Sequence, residues 1–146
     1  MKTELQDRLT QFAKDLIITT QEMTLSTINR NTIGKCIESG TNAGAEYVQA
    51  NSATTKKSFS FRINMCKSQL QTAQYRLELL VDTLKDKTDE LKKLYTEAKE
   101  LSTIFSKISR KLKKNDMEKA EKDENGKKGD ENGEKVKKDQ DKKGKK

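Results

Sequence analysis

Side chains that commonly perform enzyme chemistry are sparse in this chain. It contains no histidine, which excludes Ser-His-Asp and Cys-His nucleophiles, histidine general bases and histidine-ligated zinc. The di-iron chemistry of many helical bundles needs Glu-x-x-His pairs and is excluded for the same reason. Gly126, Gly129 and Gly133 follow no predicted strand and lack the Lys-Ser/Thr ending of a phosphate-binding loop.

The remaining reactive side chains also lack a catalytic pattern. Cys36 and Cys66 are thirty positions apart, a spacing that makes neither a CxxC redox motif nor a metal knuckle, so we expect reduced, partly buried thiols. Glu38, Glu46 and Glu78 could form a paired-carboxylate site, but solvated flanks or ion pairs are the commoner role of such acids. We therefore expect no catalytic residue, no cofactor and no metal, and we predict that the protein is not an enzyme.

Positive charge is the chemical signal that remains. Lysine and arginine number 31 against 23 acids, a net charge of +8, and such a surplus favours phosphate-bearing partners. Aromatic residues make up only 5% of the chain, so recognition of RNA or another nucleic acid should depend on charge and shape. Two basic clusters are the candidate contacts: Lys56, Lys57, Arg62, Lys67 and Arg76 on a third predicted helix, and Lys107, Arg110, Lys111, Lys113 and Lys114 at the end of a fourth.

Each basic cluster also has an ordinary explanation. Cations near the C-terminus of the fourth helix would complement its dipole and cap its free carbonyls. Lys56 and Lys57 open a helix, where the dipole disfavours cations, so stability explains them less well. Ordinary solvation remains an alternative for the first cluster.

The composition predicts a small helical protein. Charged residues make up 37% and hydrophobic residues 31%, with no proline, which leaves apolar material for one modest core and favours helices over strands. The N-terminal residues are charged and lack the apolar stretch of a secretory signal, and no apolar run exceeds three residues. We expect a cytoplasmic protein without a membrane partner.

Apolar spacing predicts four helices, over residues 4–23, 32–50, 55–84 and 89–114. On the third, apolar positions alternate steps of four and three from Phe59 to Leu84, and the fourth repeats this rhythm from Leu91 to Leu112. Such spacing favours coiled-coil-like packing with these two helices as an antiparallel hairpin. The predicted fold is an all-α, up-down-up-down antiparallel four-helix bundle over residues 1–114.

Two further sets of residues are candidates for helix packing or subunit contact. Gly40 and Gly44 lie on one face of the second helix with Ile33, Ile37 and Tyr47, and we interpret this edge as a close helix contact, since glycine inside a helix costs about 1 kcal/mol. A second apolar set on the third helix lies off the main seam. It forms either the other half of a wide core face or a subunit interface, and it comprises Phe61, Met65, Tyr75 and Leu79.

Residues 115–146 are predicted to form a disordered tail. Met117, Ala120 and Val136 are its only conventional hydrophobes, too few to offset the entropy of ordering. Acids dominate its first part, whereas lysines dominate from Lys135 to Lys146. The tail is either a solubilising polyampholyte or carries a basic tip that contacts RNA phosphates.

The region from Ser39 to Leu79 resembles a known family. Members commonly read R-S-G-T-S-I-G-A-N-Y-x-E-A, then S-K-K-D-F, then an A-L-K-E-A-x-E-x-x-Y-W-L-E-L run. The residues that keep this pattern are Ser39, Gly40, Thr41, Gly44, Ala45, Tyr47, Ala50, Lys56, Lys57, Phe59, Tyr75, Leu77, Glu78 and Leu79. On these positions the chain is similar to the four-helix-bundle (S23-like) proteins encoded by intervening sequences of bacterial 23S rRNA genes.

This resemblance carries expectations about assembly and partners. It implies a ring-like homopentamer and kinship with the basic accessory variability proteins of diversity-generating retroelements, which associate with nucleic acid and a reverse transcriptase. The first hypothesis for function is a non-catalytic, oligomeric, RNA-associated bundle. The alternative is a structural or adaptor bundle that binds a protein partner and has no nucleic-acid role.

Overall fold

The chain folds into four helices with no strand among the described residues. The computed structural model describes the backbone of residues 3–143 and the side chains of residues 3–126. The helices, in chain order, are α1 Glu4–Gln21, α2 Arg30–Asn51, α3 Lys56–Thr83 and α4 Thr88–Lys143. The predicted all-α four-helix architecture is therefore confirmed.

Two threonines fix where helices begin. The Thr3 hydroxyl accepts a hydrogen bond from the amide of Gln6, at 3.0 Å, and caps α1. The Thr55 hydroxyl accepts from the amide of Ser58, at 3.0 Å, and caps α3 in the same way. Each cap satisfies one amide that the first helical turn leaves without a partner. The short Thr54-Thr55-Lys56 sequence therefore defines the entry into α3.

Neighbouring helices run antiparallel. Gly40 of α2 lies against Phe12 and Leu16 of α1, while Tyr47, further along α2, bonds to Thr3 at the start of α1. The α2–α3 and α1–α4 contacts show the same reversal of direction. They comprise Ala43 with Cys66, Lys35 with Arg76, Arg8 with Glu97 and Glu22 with Lys87. The connectivity is up-down-up-down, as predicted.

The heptad seams of α3 and α4 form the core. On α3 the buried positions are Ile63, Cys66, Leu70, Ala73, Leu77 and Leu80, and on α4 they are Leu91, Leu94, Ala98, Leu101 and Phe105. Phe59, Leu84, Ile108 and Leu112, at the ends of the predicted seams, are half-buried. Burial of a leucine side chain contributes about 1.5–3 kcal/mol, so these two stripes account for much of the driving force.

The buried face of α2 differs in part from its predicted face. Ile37 and Gly44 are half-exposed, whereas Cys36, Ala43 and Ala50 are buried. The stripe therefore follows small residues at steps of three and four. Of the predicted face, Ile33, Gly40 and Tyr47 are buried, and the small side chains beside them allow α2 to pack closely against α1 and α3.

The second apolar set on α3 is not half of a wide core face. Phe61 and Tyr75 are 56% and 62% exposed, Leu79 is 39% exposed, and Met65 is half-buried. Phe61 and Tyr75 each lie two residues from seam positions, Ile63 and Leu77, which on a helix of 3.6 residues per turn places them on the side away from the core. The core-face prediction is wrong for this set, and the subunit-interface alternative stays a prediction.

The charged tail lies outside the core, although α4 does not end where predicted. The helix continues past Lys114 to Lys143, and every described side chain from Asn115 to Gly126 is exposed. Lysine, glutamate and alanine favour this continuation locally. Residues 115–126 add no side chain to the core, as predicted for this segment. The predicted basic tip, Lys135 to Lys146, lies outside the residues whose side chains are described.

The compact unit that contains the bundle ends at Ser109, and a second unit begins at Arg110. None of the helices in the described part of the chain is both long and apolar enough to cross a membrane.

Candidate nucleic-acid interface

The first basic cluster occupies a stretch of α3 that contains no acid. From Lys56 to Leu77 the sequence has five cations and neither aspartate nor glutamate, and Glu78 is the first acid. Lys56 and Lys57 are exposed in the first turn, and Lys67 is half-buried. Within the described residues, no ion pair or hydrogen bond engages the ammonium groups of these three lysines. Their charges are available to a partner.

The arginines of the same cluster are held by α2. Arg62 forms an ion pair with Glu46, Nη1 to Oε2 at 2.9 Å, and its guanidinium lies 5.6 Å from the ring centroid of Phe61. Arg76 donates to the Lys35 carbonyl at 2.6 Å and to the Ser39 hydroxyl. These contacts fix both guanidinium groups relative to the backbone. The arginines therefore contribute to α2–α3 packing and also present preorganised donors beside the α3 surface.

A polar groove lies next to Arg76, between α2 and α3. Its volume is about 310 Å³, and it is lined by Lys35, Glu38, Ser39, Asn42, Gln69, Thr72 and Arg76. Side-chain amides, hydroxyls and cations dominate this lining, which suits a polar ligand group. The groove extends the polar surface of α3 toward α2.

The second basic cluster lies on α4 and is described only by its place on that helix. Lys107 precedes the division between Ser109 and Arg110, whereas Arg110 and Lys111 follow it. Lys107 and Lys111 are exposed. Because α4 continues to Lys143, these cations do not lie at a helix C-terminus. Complementing the helix dipole at that end therefore does not explain them.

The predicted packing residues separate into two groups. Gly40 and Tyr47 face the inside of the bundle, where Tyr47 is 8% exposed and packs edge-on against Phe105 with centroids 5.5 Å apart, whereas Gly44 is half-exposed. The second group lies on the outer face of α3 and comprises Phe61, Met65 and Tyr75. Only this second group is placed to contact another molecule.

Sequence reasoning missed an arginine clamp between α1 and α4. Arg8 bonds to Glu97 through Nε at 2.6 Å and Nη2 at 3.0 Å, and Nη2 also reaches Glu100 at 2.5 Å. The hydrogen bond with Glu97 is the main cause of a raised pKa for the Arg8 guanidinium. Charged residues 89 positions apart carry no local signal, so only the tertiary fold reveals the pair. The clamp crosses a groove of about 420 Å³ between the two helices.

The cysteines are core side chains. Both are free and fully buried, and burial raises the pKa of each thiol to about 12. The Cys66 thiol donates to the Ala43 carbonyl at 3.2 Å. Since the thiolate is the nucleophile and the metal ligand, protonated thiols in this position act as small hydrophobes.

Comparison with known proteins gives a structural likeness. No protein-family profile and no curated protein matches the sequence. The fold is similar to that of a Bacteroides thetaiotaomicron protein of unknown function from the S23 ribosomal protein family, whose crystal structure was determined at 1.70 Å resolution. The TM-score is 0.57, with 20% sequence identity over 72% of this chain and 97% of the other. At this identity the likeness establishes a shared fold.

Proposed function

We propose that this chain is a non-catalytic helical-bundle protein that binds RNA or another nucleic acid through the α3 basic face. This name covers the five cations of the acid-free stretch of α3, which flank its outer side: Arg62 and Arg76 lie toward α2, and Lys56, Lys57 and Lys67 lie on the outer side and the opposite flank. One observation carries the proposal: five cations and no acid lie between Lys56 and Leu77, on a helix whose apolar side is already used by the core.

Protein stability does not account for the two lysines at the start of α3, although it accounts in part for Arg62 and Arg76, which contact α2. Lys56 and Lys57 lie in the first turn of α3, where the helix dipole destabilises cations by about 0.3–1 kcal/mol each. Within the described residues neither side chain has an acidic partner that offsets this cost. A phosphate backbone would supply the missing counter-charge, since neutralised phosphates drive nucleic-acid binding through counterion release.

The absence of catalysis is part of the proposal and rests on the state of the reactive groups. The chain has no histidine, both thiols are buried and protonated, and Glu46 and Glu97 are each engaged by an arginine. Of the three candidate acids, Glu46 is engaged in packing through Arg62, while Glu38 and Glu78 are exposed.

Self-association and an RNA ligand are supported by the likeness to the S23-type fold. The structural neighbour's family is named for the ribosome, and the sequence resemblance implies rRNA-linked proteins that form pentamers. We extend both features to this chain as proposals, with a reverse transcriptase among the protein partners that the resemblance implies. Sedimentation equilibrium at micromolar concentration should give five subunits, and a stable monomer would argue against the ring.

The test of the proposed function is a charge reversal that spares the fold. Lys56→Glu, Lys57→Glu and Lys67→Glu together remove three unpaired cations, whereas changing Arg62 or Arg76 would also break contacts with α2. The matched control reverses Lys92, Lys93 and Lys99, which are exposed on α4. Binding to a single-stranded RNA should fall steeply with salt, with a log-log slope of about −0.7 per neutralised phosphate.

The α3 variant should flatten this slope and weaken binding to unrelated sequences alike, because phosphate contacts carry no sequence information. The α4 control has the same change in net charge and should keep more of the original slope. Equal slopes for the two variants would mean that net charge alone drives binding and would reject the α3 basic face.

An adaptor function is the second candidate, and one observation favours it. Phe61, Tyr75 and Leu79 are exposed on the same side of α3, and clustered exposed apolar side chains are typical of protein interfaces. The adaptor hypothesis replaces the RNA hypothesis if two results are obtained together. The chain binds no RNA at low salt, and the Tyr75→Ser variant fails to bind a protein partner that the unmodified chain binds.

A further inference from the structure

Two aromatic-arginine pairs repeat along the outer face of α3. Phe61 is followed by Arg62, and Tyr75 is followed by Arg76, with two heptads between the pairs. Both rings are more than half exposed. At 1.5 Å of rise per residue they are about 21 Å apart along the helix axis. The low aromatic content of the sequence suggested that few rings would be free to stack on bases. In the structure, the rings of Phe61 and Tyr75 are exposed and could do so.

We propose that this outer face of α3 binds single-stranded nucleic acid by stacking bases on Phe61 and Tyr75. The inference rests on the proposed function and deepens it, since it names the strand state of the ligand and the groups that hold the bases. Aromatic platforms within a positively charged groove are the general means by which proteins hold single strands.

The arginine that follows each ring in the sequence is held in place by contacts with α2. Arg62 lies over the Phe61 ring, 5.6 Å from its centroid, and is held there by Glu46. Arg76 is held by the Lys35 carbonyl and the Ser39 hydroxyl. Each guanidinium is therefore fixed before a ligand arrives, which lowers the entropy lost on binding. Donors that remain on each guanidinium can reach a phosphate or stack with a base.

The outer face of α3 between the two rings carries Met65 and the uncharged polar side chains of Ser68 and Thr72. Arg62 and Gln69 lie on the flank toward α2, and Lys67 lies on the opposite flank. Amide and hydroxyl groups can bond to exposed base edges. A span of about 21 Å between platforms fits on the order of four nucleotides, the lower end of known single-strand site sizes.

Charge favours a nucleic acid over a protein as the occupant of this face. Protein interfaces are typically depleted of lysine near their centre, whereas Lys57 and Lys67 flank the aromatic residues here. A duplex is also disfavoured, because its bases are already stacked and offer no free face to a side chain on a convex helix. A single strand satisfies both the rings and the cations.

Three ligands of equal length test the inference: oligouridylate, the same oligomer with abasic positions, and a duplex RNA. The unmodified chain should bind oligouridylate most tightly, and removal of the bases should weaken binding. Phe61→Leu and Tyr75→Leu should each lower the affinity for oligouridylate by about 5- to 160-fold, the range that corresponds to loss of one stacking platform. Leu79→Ala, on the same face and also exposed, is the matched control and should bind normally.

Conservative variants distinguish stacking from other roles of the same residues. Tyr75→Phe keeps the ring and should retain affinity, which a role for the hydroxyl would not allow. The chain has no tryptophan and three tyrosines, so its emission comes from tyrosine. Oligouridylate should quench this emission in the unmodified chain and quench it less in Tyr75→Phe, because Tyr47 is buried and Tyr95 is half-buried on α4, away from the proposed site.

Each adverse result has a separate meaning. If binding stays salt-dependent but ignores both the abasic positions and the leucine variants, stacking is rejected and the proposed function stands. If no ligand binds at low salt, both proposals fail. If Phe61→Leu or Tyr75→Leu changes the sedimentation of the free protein, the face is a subunit contact and the inference is overturned.

Discussion

Gly40 and Leu16 meet so closely that a Cβ atom added to the glycine would lie 2.5 Å from Cδ2 of Leu16. The same atom would lie 3.3 Å from Cε1 of Phe12. Both neighbours are fully buried, so neither can move without disturbing the core. This contact explains why a residue with poor helix propensity lies in the middle of α2.

The two central glycines of α2 should respond oppositely to substitution. Gly40→Leu overpacks the contact with α1 and should reduce the free energy of unfolding by about 1–3 kcal/mol or more. Gly44→Ala meets only Leu9 Cβ at 4.0 Å and should stabilise the bundle by about 0.5–1 kcal/mol through helix propensity.

Urea denaturation followed by circular dichroism measures both changes. Gly34→Ala is the control for propensity alone, because nothing lies within 4 Å of an added Cβ there. A loss of stability in Gly44→Ala that is absent from Gly34→Ala would show that both glycines are needed for close packing.

The two faces of α3 should differ sharply in their sensitivity to truncation. Leu70→Ala removes a fully buried side chain and should cost about 2–5 kcal/mol through lost burial and a cavity. Leu101→Ala on α4 should behave alike. Leu79→Ala on the outer face should change stability by no more than about 0.5 kcal/mol, as measured by denaturant midpoints. Comparable losses at Leu70 and Leu79 would contradict the assignment of these faces.

Long heptad seams were predictable from the sequence, whereas the close contacts were not. The rhythm from Ile63 to Leu80 is set by the periodicity of one helix, so it can be recognised without knowledge of any neighbour. The buried face of α2 instead depends on Cys36, Ala43 and Ala50, whose small side chains give little hydrophobic signal. Their burial follows from how closely α1 and α3 approach.

The sequence identified the charged residues of the candidate site but did not show that its aromatic residues are exposed. Lys56 and Lys57 were identifiable because a helix N-terminus disfavours cations. The exposure of Phe61 and Tyr75 could not be known from the sequence, since a second apolar stripe fits a wide core or an open surface equally well. Only the placement of α2 and α4 around α3 decides between them.

The buried thiols should make stability depend on alkaline pH. In the folded state the pKa of Cys36 and Cys66 is raised from 9.0 to about 12, so the unfolded chain releases these protons first. The stabilisation is complete below about pH 9 and is lost between pH 9 and pH 12, by up to about 1.4 kcal/mol per pH unit for each thiol.

Denaturant unfolding at pH 8 and pH 10 tests this dependence. The variant with Cys36→Ala and Cys66→Ala should be less stable at pH 8, because it loses buried volume, yet should lose less further stability at pH 10. Lysine and tyrosine titrations are common to both proteins and cancel in the comparison. If the free energy of unfolding falls by the same amount between pH 8 and pH 10 in both proteins, the thiols do not contribute to the loss of stability at alkaline pH.

Removal of the tail should separate the contribution of the bundle from that of the C-terminal charges. Deleting Asn115 to Lys146 removes only exposed side chains among those described, so the melting temperature should stay nearly constant. RNA affinity should persist with a slightly shallower salt slope, because the α3 basic face remains and each lost phosphate contact lowers the slope by about 0.7.

Deleting only Lys135 to Lys146 isolates the basic tip from the acidic stretch before it. If either deletion abolishes binding while the helicity of the bundle is unchanged, the bundle is a scaffold and the tail holds the RNA. That result would transfer the phosphate contacts from α3 to the tail, and the reversal of Lys56, Lys57 and Lys67 should then have no effect on affinity.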